Sequence, residues 1–242
     1  MAVIGLRDIS KSFEQHRVLH HVNLDVDEGT TVVILGKSGV GKSVLLKVVI
    51  GLIRPDHGTV QISGQEVGRL RVRGLQALRR NMGYLFQGAA LYDSMSVREN
   101  LAFALTRVET LDDDALEYRI LGQLRLVGLE DAIDKMPSEL SGGMRKRVGL
   151  ARALITNPHI MLYDEPTTGL DPITARDIST LIKDMQERYR LTSIAVTHDM
   201  LCARIIADKA AILNNGMLEQ QGTLEYLEKS GDSVTRSFFA SE

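Results

Sequence analysis

Residues Gly36 to Ser43 read GKSGVGKS, and that spacing of glycines ahead of Lys-Ser suits the holding of phosphate. Glycines let the backbone N–H groups of Gly36, Lys37, Ser38, Gly39, Val40 and Gly41 turn inward on phosphate oxygens, and a helix that starts there adds its positive end. Lys42 would reach the β- and γ-phosphates of a nucleoside triphosphate, and the Ser43 hydroxyl would ligate magnesium. Far downstream an apolar run ends in Asp164-Glu165. Asp164 would hold magnesium through its water shell, and Glu165 would orient and polarise an attacking water. Such an acidic pair can also simply end a strand; the phosphate loop upstream favours the chemical role. Leu140-Ser141-Gly142-Gly143-Met144 precedes a helical pattern, so the Ser141 hydroxyl and the glycine N–H groups form a second anion-binding helix start. Alone, Ser-Gly-Gly is a common helix cap or turn. One chain thus carries two phosphate sites, of which only the first has a lysine placed at a helix start to reach phosphate, Lys42.

The elements that must position these residues follow from hydrophobic patterning. Val3 to Ile9 and Val22 to Val26 are short β-rich stretches around a turn-like Ser12 to Arg17, a pattern that suits an antiparallel sheet. Thr31 to Leu35 is a continuous apolar run entering the glycine loop, and Val44, Leu45, Val48 and Val49 follow at helical spacing, so the order is strand, loop, helix. Ile160 to Tyr163 and Ile194 to Val196 are apolar without alternation, as strands buried on both faces of a parallel sheet are. Ligands bind at the carboxyl ends of such strands, which points Asp164, Glu165 and His198 toward the phosphate loop. Between Gln87 and Asn157 helical patterns take over, with Leu116, Ile120, Leu124 and Val127, then Met144, Val148, Ala151 and Ile155. This predicts an inserted helical lobe. Asp171-Pro172 opens a further helix, and Asn215-Gly216 makes a hairpin turn.

Composition bounds the reading. The chain has 242 residues, 44% apolar and 25% charged, which fits one α/β folding unit with a lobe and excludes disordered or fibrous classes. A formal net charge of −2, with acids and bases interleaved, gives no basic field to recruit nucleic acid. The one cysteine, Cys202, cannot form an internal disulfide and agrees with a reducing compartment. No apolar run approaches the roughly 20 residues that span a bilayer, so a membrane role has to come through a partner.

Taken in order, GKSGVGKS, Gln87 in LFQG, LSGGM, IMLYDEP, GLDP at Gly169 to Pro172 and His198 in VTHD resemble the nucleotide-binding subunit of an ATP-binding-cassette (ABC) transporter over nearly the whole chain. The resemblance implies an α/β P-loop NTPase cassette with a RecA-like core, an N-terminal antiparallel β subdomain and an inserted helical subdomain. The core would comprise residues 1–86 and 158–242, and the helical subdomain residues 87–157. It implies ATP and Mg2+ as ligands, and head-to-tail pairing with a second copy, whose Ser141, Gly142 and Gly143 close over the ATP held by the first copy's phosphate loop. By it, Gln87 senses the γ-phosphate and magnesium and couples to the membrane partner, Asp171 bridges the dimer interface, and His198 contacts the γ-phosphate. Phe13 in KSFEQ stands where the family stacks an aromatic ring on adenine, though without the usual tyrosine hydroxyl. Met144 stands where many cassettes have glutamine.

QGAALYDSMSVRENLAFAL, GGMRKRVGLARAL and DPITA further resemble cassettes of the MCE-associated lipid transporters, the Mla or Mkl type, as does the tail from Ser230 to Phe239. That implies integral membrane permease subunits and an MCE-type lipid-binding protein as partners, no nucleic acid, and a peripheral place on the cytoplasmic face of the inner (plasma) membrane. The competing readings are a cassette ATPase for another substrate, such as an amino acid or a metal, a soluble cassette protein acting on DNA or ribosomes, and a simple P-loop kinase. The arginine-rich stretch from Arg69 to Arg80 reads as a solvated helix face, Asp112 to Asp114 as a helix cap, and His16, His20 and His21 as turn residues without the partners of a zinc site.

Overall fold

The computed structural model describes residues 2–230. Its first two strands, β1 (Ala2–Phe13) and β2 (His16–Asp27), pair antiparallel. Along β2 the buried residues Leu19, Val22, Leu24 and Val26 alternate with polar ones, which is what a sheet with one wet face requires. Both strands run longer than their apolar stretches suggested, and the turn narrows to Glu14 and Gln15. His16, His20 and His21 therefore lie on a strand and not in a turn.

The chain then enters β3 (Thr31–Leu35), every residue of which is buried, passes through the glycine loop and starts α1 (Lys42–Val49). It returns to the antiparallel sheet as β4 (His57–Ile62) and β5 (Gln65–Glu66), giving the order β2-β1-β4-β5. The arginine-rich stretch contains α2 (Val72–Arg80), and Arg71, Arg73 and Arg80 are exposed as expected. Arg79 is the exception: its guanidinium donates to the carbonyls of Ile50 and Gly51 at 3.0 and 2.8 Å and so closes the end of α1.

After β6 (Met82–Leu85) come three helices, α3 (Val97–Leu105), α4 (Asp113–Val127) and α5 (Gly142–Leu154), before the next strand. Each opens on an oxygen-bearing cap. Ser96 and Glu99 form a reciprocal capping box, Asp112 accepts from Ala115 N, and Ser141 accepts from Met144 N. The helices bury a cluster of their own, including Leu101, Leu105, Ile120, Leu124 and Val148. The remaining elements are β7 (Ile160–Asp164), α6 (Pro172–Tyr189), β8 (Thr192–Thr197), α7 (Met200–Ile206), β9 (Lys209–Asn214), β10 (Met217–Gly222) and α8 (Leu224–Lys229).

Six strands make the central sheet in the order β10-β9-β3-β8-β7-β6, parallel except for the hairpin strand β10. Registry brings Leu35 beside Thr197 and Asp164 beside Val196. The carboxyl ends of β3, β7 and β8 thus form one edge, and residues 36, 165 and 198 follow directly from it. Apolar clusters cover both faces of this sheet, one shared with the antiparallel sheet and α1, the other with α6, α7 and α5. Cys202 lies buried in the second cluster, and burial pushes its thiol up to about 12, which makes it inert. Among the described residues no helix is long and apolar enough to cross a membrane. Apart from Ser230, the tail singled out above lies outside the described residues.

Candidate functional site

The glycine loop takes its shape from backbone that other residues adopt only with strain. Gly39 and Gly41 have φ of +81° and +109°, and a Cβ on Gly41 would stand 2.8 Å from Val18 Cγ1 and 3.0 Å from Val18 O. The loop therefore lies down on β2 and delivers Lys42 and Ser43 into the first turn of α1. Lys42 is buried, and its Nζ donates to Gly36 O at 2.6 Å and Lys37 O at 3.1 Å, with Glu165 Oε1 also at 3.1 Å. A lysine held by two carbonyls and one carboxylate keeps its charge aimed at the loop's concave side.

Asp164 and Glu165 divide as their positions at the end of β7 suggest. Ser43 Oγ donates to Asp164 Oδ1 at 2.7 Å, and Tyr84 Oη donates to Asp164 Oδ2 at 3.1 Å. Burial, reinforced by the Asp164 charge and this hydrogen bond, pushes the Tyr84 hydroxyl far above its ordinary range, so it stays a donor. A hydroxyl and a carboxylate side by side form the hard oxygen pair that a magnesium ion and its waters take, so Ser43 and Asp164 fit that ion.

Glu165 sits at φ +48°, a left-handed conformation uncommon for a long side chain. Its Oε2 accepts from Thr168 Oγ1 at 2.9 Å and lies 2.9 Å from His198 Nδ1. Burial alone would raise its pKa. The opposing charge and hydrogen bond of Lys42, with Thr168 and His198, outweigh that and hold the carboxyl below its ordinary value. It is therefore ionised and fixed in place, as a base that positions a water must be.

Lys42, Ser43, Glu165, Thr168 and His198 line one cleft of about 430 Å³, and Gly36, Lys37 and Asp164 are not among its lining residues. Phe13, His16 and Val18 contribute to it from the antiparallel strands and the turn they flank, Ser38, Gly39 and Gly41 to Val44 from the loop and the start of α1, and Gln87, Glu165, Thr168 and His198 from beyond the ends of β6, β7 and β8. Phe13 is 45% exposed, with Lys11 Nζ 5.5 Å from its ring centroid. The length of the cleft thus runs from an aromatic face to a carboxylate, past a lysine.

Ser141, Gly142, Gly143 and Asp171 are not among the residues around that cleft. Ser141 and Gly142 are exposed at the start of α5, and a Cβ on Gly143 would stand 2.5 Å from Thr174 Cγ2 in the first turn of α6. Asp171 caps α6: its Oδ1 accepts from the N–H groups of Ile173 and Thr174, and its Oδ2 from Thr174 Oγ1. The two helix starts therefore lie together as a separate surface.

Several residues escaped the sequence reading. Thr168, three positions after Glu165, and Tyr84, on the strand beside β7, become visible only through their partners. Lys146 looks like one more base on a helix, yet it is buried, and its Nζ donates to Gln87 O and, at 2.8 Å, to Glu165 O. Burial pulls its ammonium down to about 8 despite the nearby Glu165 and Asp164 charges.

A family model described as ABC transporter matches residues 19–168. A probable ribonucleotide transport ATP-binding protein, mkl, of Mycobacterium leprae is 40% identical over 97% of this chain, which spans 68% of that protein. The intermembrane phospholipid transport system ATP-binding protein MlaF of Haemophilus influenzae is 40% identical over 93% of this chain and 86% of its own length. The methionine import ATP-binding protein MetN 2 of Paraburkholderia xenovorans is also 40% identical, over 89% of this chain and 57% of its own length. Among solved structures, a dimeric post-hydrolysis state of the ATP-binding cassette MJ0796 bound to ADP and Pi superposes with a TM-score of 0.85 at 32% identity, covering 91% of this chain and 98% of that one.

Proposed function

The chain belongs to the ABC transporter family as an ATP-binding and ATP-hydrolysing cassette, and from that premise we propose that it energises lipid or phospholipid transport across a cell envelope. The observation that carries the chemistry is one cleft lined by Lys42, Ser43 and the Glu165 carboxylate, with Asp164 hydrogen-bonded to Ser43 behind its wall. ATP lies along it with adenine against Phe13 and the γ-phosphate beside Lys42 and Glu165. Loop N–H groups from Gly36 to Gly41 and the Lys42 ammonium bind the phosphates. When bound at Ser43, Asp164 and Gln87, magnesium neutralises phosphate charge. Glu165 holds a water in line with the γ-phosphate and draws off its proton, while His198, whose Nδ1 lies 2.9 Å from Glu165 Oε2, steadies that carboxylate and brings its ring to the γ-phosphate.

The start of α5, exposed and outside this cleft, closes the site of a second copy: Ser141, Gly142 and Gly143 meet that copy's γ-phosphate, and Asp171 lies at the same junction. Residues 87–157 act as a lobe that moves with nucleotide state against residues 1–86 and 158–242. Permease subunits receive that motion at the cytoplasmic face of the membrane, with an MCE-type lipid-binding protein beyond them. The identity to MlaF supports lipid as the cargo. The equal identity to a methionine import protein favours a small-molecule importer as the second reading.

Glu165→Gln tests the chemistry. The amide cannot take a proton, so steady-state phosphate release should fall by at least about a hundredfold while ATP still binds; undiminished turnover overturns the role of Glu165. Co-purification with the permease, followed by mass spectrometry of the bound lipid, tests the cargo. A permease complex that carries no lipid and is stimulated by an amino acid sinks the lipid reading.

A further inference from the structure

We propose that Lys146 is a positioning residue that ties the helix start offered to one ATP site to the two segments that read the other. This rests on the reading that two copies close head to tail. Helix α5 begins at Ser141, and Lys146 stands five residues further on, about 7.5 Å along the axis. From there its buried Nζ holds Gln87 O and Glu165 O, the backbone of the two residues that face the γ-phosphate in the same chain.

The grip is doubled two turns later. Arg152 of the same helix donates to Ala89 O and Ala90 O at 2.8 Å each. Ala89 and Ala90 both have left-handed φ, +59° and +49°. The turn after Gln87 is thus a strained segment clamped at both ends by one helix. Gly149 lies between the clamps, and a Cβ there would stand 2.9 Å from Ala89 Cβ, so helix and turn are in direct contact. A segment held this closely moves with α5 as one body. When nucleotide on the second copy draws Ser141 toward it, the carbonyl of Gln87 is carried along with α5, and the Lys146 bond to Glu165 O, across the boundary of the lobe, passes the pull to the first site's water-positioning carboxylate. A lysine suits the post because one ammonium has donors for two carbonyls. Methionine has a similar length and none, and would leave Gln87 O without this donor and Glu165 O with only the long contact from Thr168 N at 3.4 Å.

The test compares the full chain with Lys146→Met, Lys146→Arg and Lys146→Gln by steady-state ATPase assay, ATP-analogue binding and thermal melting. Lys146→Met should lower kcat by about tenfold or more with nucleotide Kd unchanged within about twofold. Its Hill coefficient should drop from above about 1.5 to about 1, because coupling between the sites is what is lost. Lys146→Arg should recover most of the cooperativity, and Lys146→Gln, a neutral donor, part of it. If Lys146→Met does not fold, the other two carry the test.

A wild-type Hill coefficient near 1 overturns the inference, as does full cooperativity in Lys146→Met. So does a Lys146→Arg and Lys146→Gln pair that melt as wild type yet show no cooperativity. Light scattering of Glu165→Gln with ATP separates the two levels: no ATP-dependent dimer overturns the paired-site reading itself, whereas a dimer with any of the preceding results overturns the role of Lys146 alone.

Discussion

Gly41 and Gly39 allow the phosphate loop to be tested by two substitutions that differ in one physical term. Both have φ in the range that L side chains rarely adopt, +109° and +81°. An alanine at Gly39 meets nothing within 4 Å, so its cost is the backbone conformation alone, about 1–3 kcal/mol. An alanine at Gly41 meets Val18 Cγ1 at 2.8 Å, Val18 O at 3.0 Å and Leu19 Cδ2 at 3.3 Å. One of these contacts is backbone of β2 and cannot swing aside, so overpacking adds about 1–3 kcal/mol. For a chain of this size each kcal/mol moves Tm by roughly 2–4 °C. Gly41→Ala should therefore melt roughly 2–12 °C below Gly39→Ala, the difference being the overpacking term alone. The clash is relieved by lifting the loop off β2, which turns its N–H groups away from the phosphates. Affinity for a fluorescent ATP analogue should fall about tenfold for each 1.4 kcal/mol so lost. Circular dichroism melts and equilibrium binding on the two variants read both effects. Equal Tm and equal affinity in Gly41→Ala and Gly39→Ala would refute the claim that contact with Val18 shapes the loop.

Two further predictions concern the helical segment and pH. Asn100 is fully buried in α3, where its Oδ1 accepts from Tyr92 N and its Nδ2 donates to the carbonyls of Tyr92, Met95 and Ser96. Asn100→Ala orphans Tyr92 N and Met95 O, while Tyr92 O and Ser96 O keep the N–H groups of Met95 and residue 100; it should cost about 2–4 kcal/mol in urea denaturation, with nucleotide binding retained, and a loss under about 0.5 kcal/mol contradicts the network. The Glu165 carboxyl is held below its ordinary value of 4.5, so the native state binds fewer protons than the unfolded one. Its contribution to stability is present above that value and is lost as pH falls through the folded pKa. The stability gap between wild type and Glu165→Gln should accordingly shrink between about pH 6 and pH 3, and a gap that is flat with pH or grows toward acid contradicts the assignment.

What was legible in the sequence was local or doubly buried. The phosphate loop is a contiguous string whose glycines specify their own backbone, and β3, β7 and β8 announce themselves because strands covered on both faces must be continuously apolar. Caps such as Asp112 and Ser141 were legible for the same reason, since the oxygen sits beside the N–H groups it satisfies. Strand β4 was not. His57–Ile62 mixes polar and apolar residues and becomes a strand through pairing with β1, some fifty residues away, while pairing with β2 carries β1 past its apolar stretch. Arg79 was misjudged as solvated and Lys146 passed unread, because charge predicts solvent and only the fold reveals carbonyls waiting for a cation. The pairing of Lys42 with Glu165 joins residues far apart in the chain; strand pattern pointed Glu165 toward the loop, but only the fold shows the direct contact.

The central claim is that each ATP is held between the phosphate loop of one copy and the Ser141 helix start of another. Ser38 and Ser141 are both exposed, and the native thiol of Cys202 is buried, so introduced cysteines can be read cleanly. Mixing Ser38→Cys and Ser141→Cys populations, each also carrying Glu165→Gln, and oxidising them with ATP and magnesium should give a disulfide-linked dimer that forms only with nucleotide. Neither population alone should form that Ser38-to-Ser141 bond. A mixture that stays monomeric with ATP, or that cross-links equally without it, contradicts the shared site.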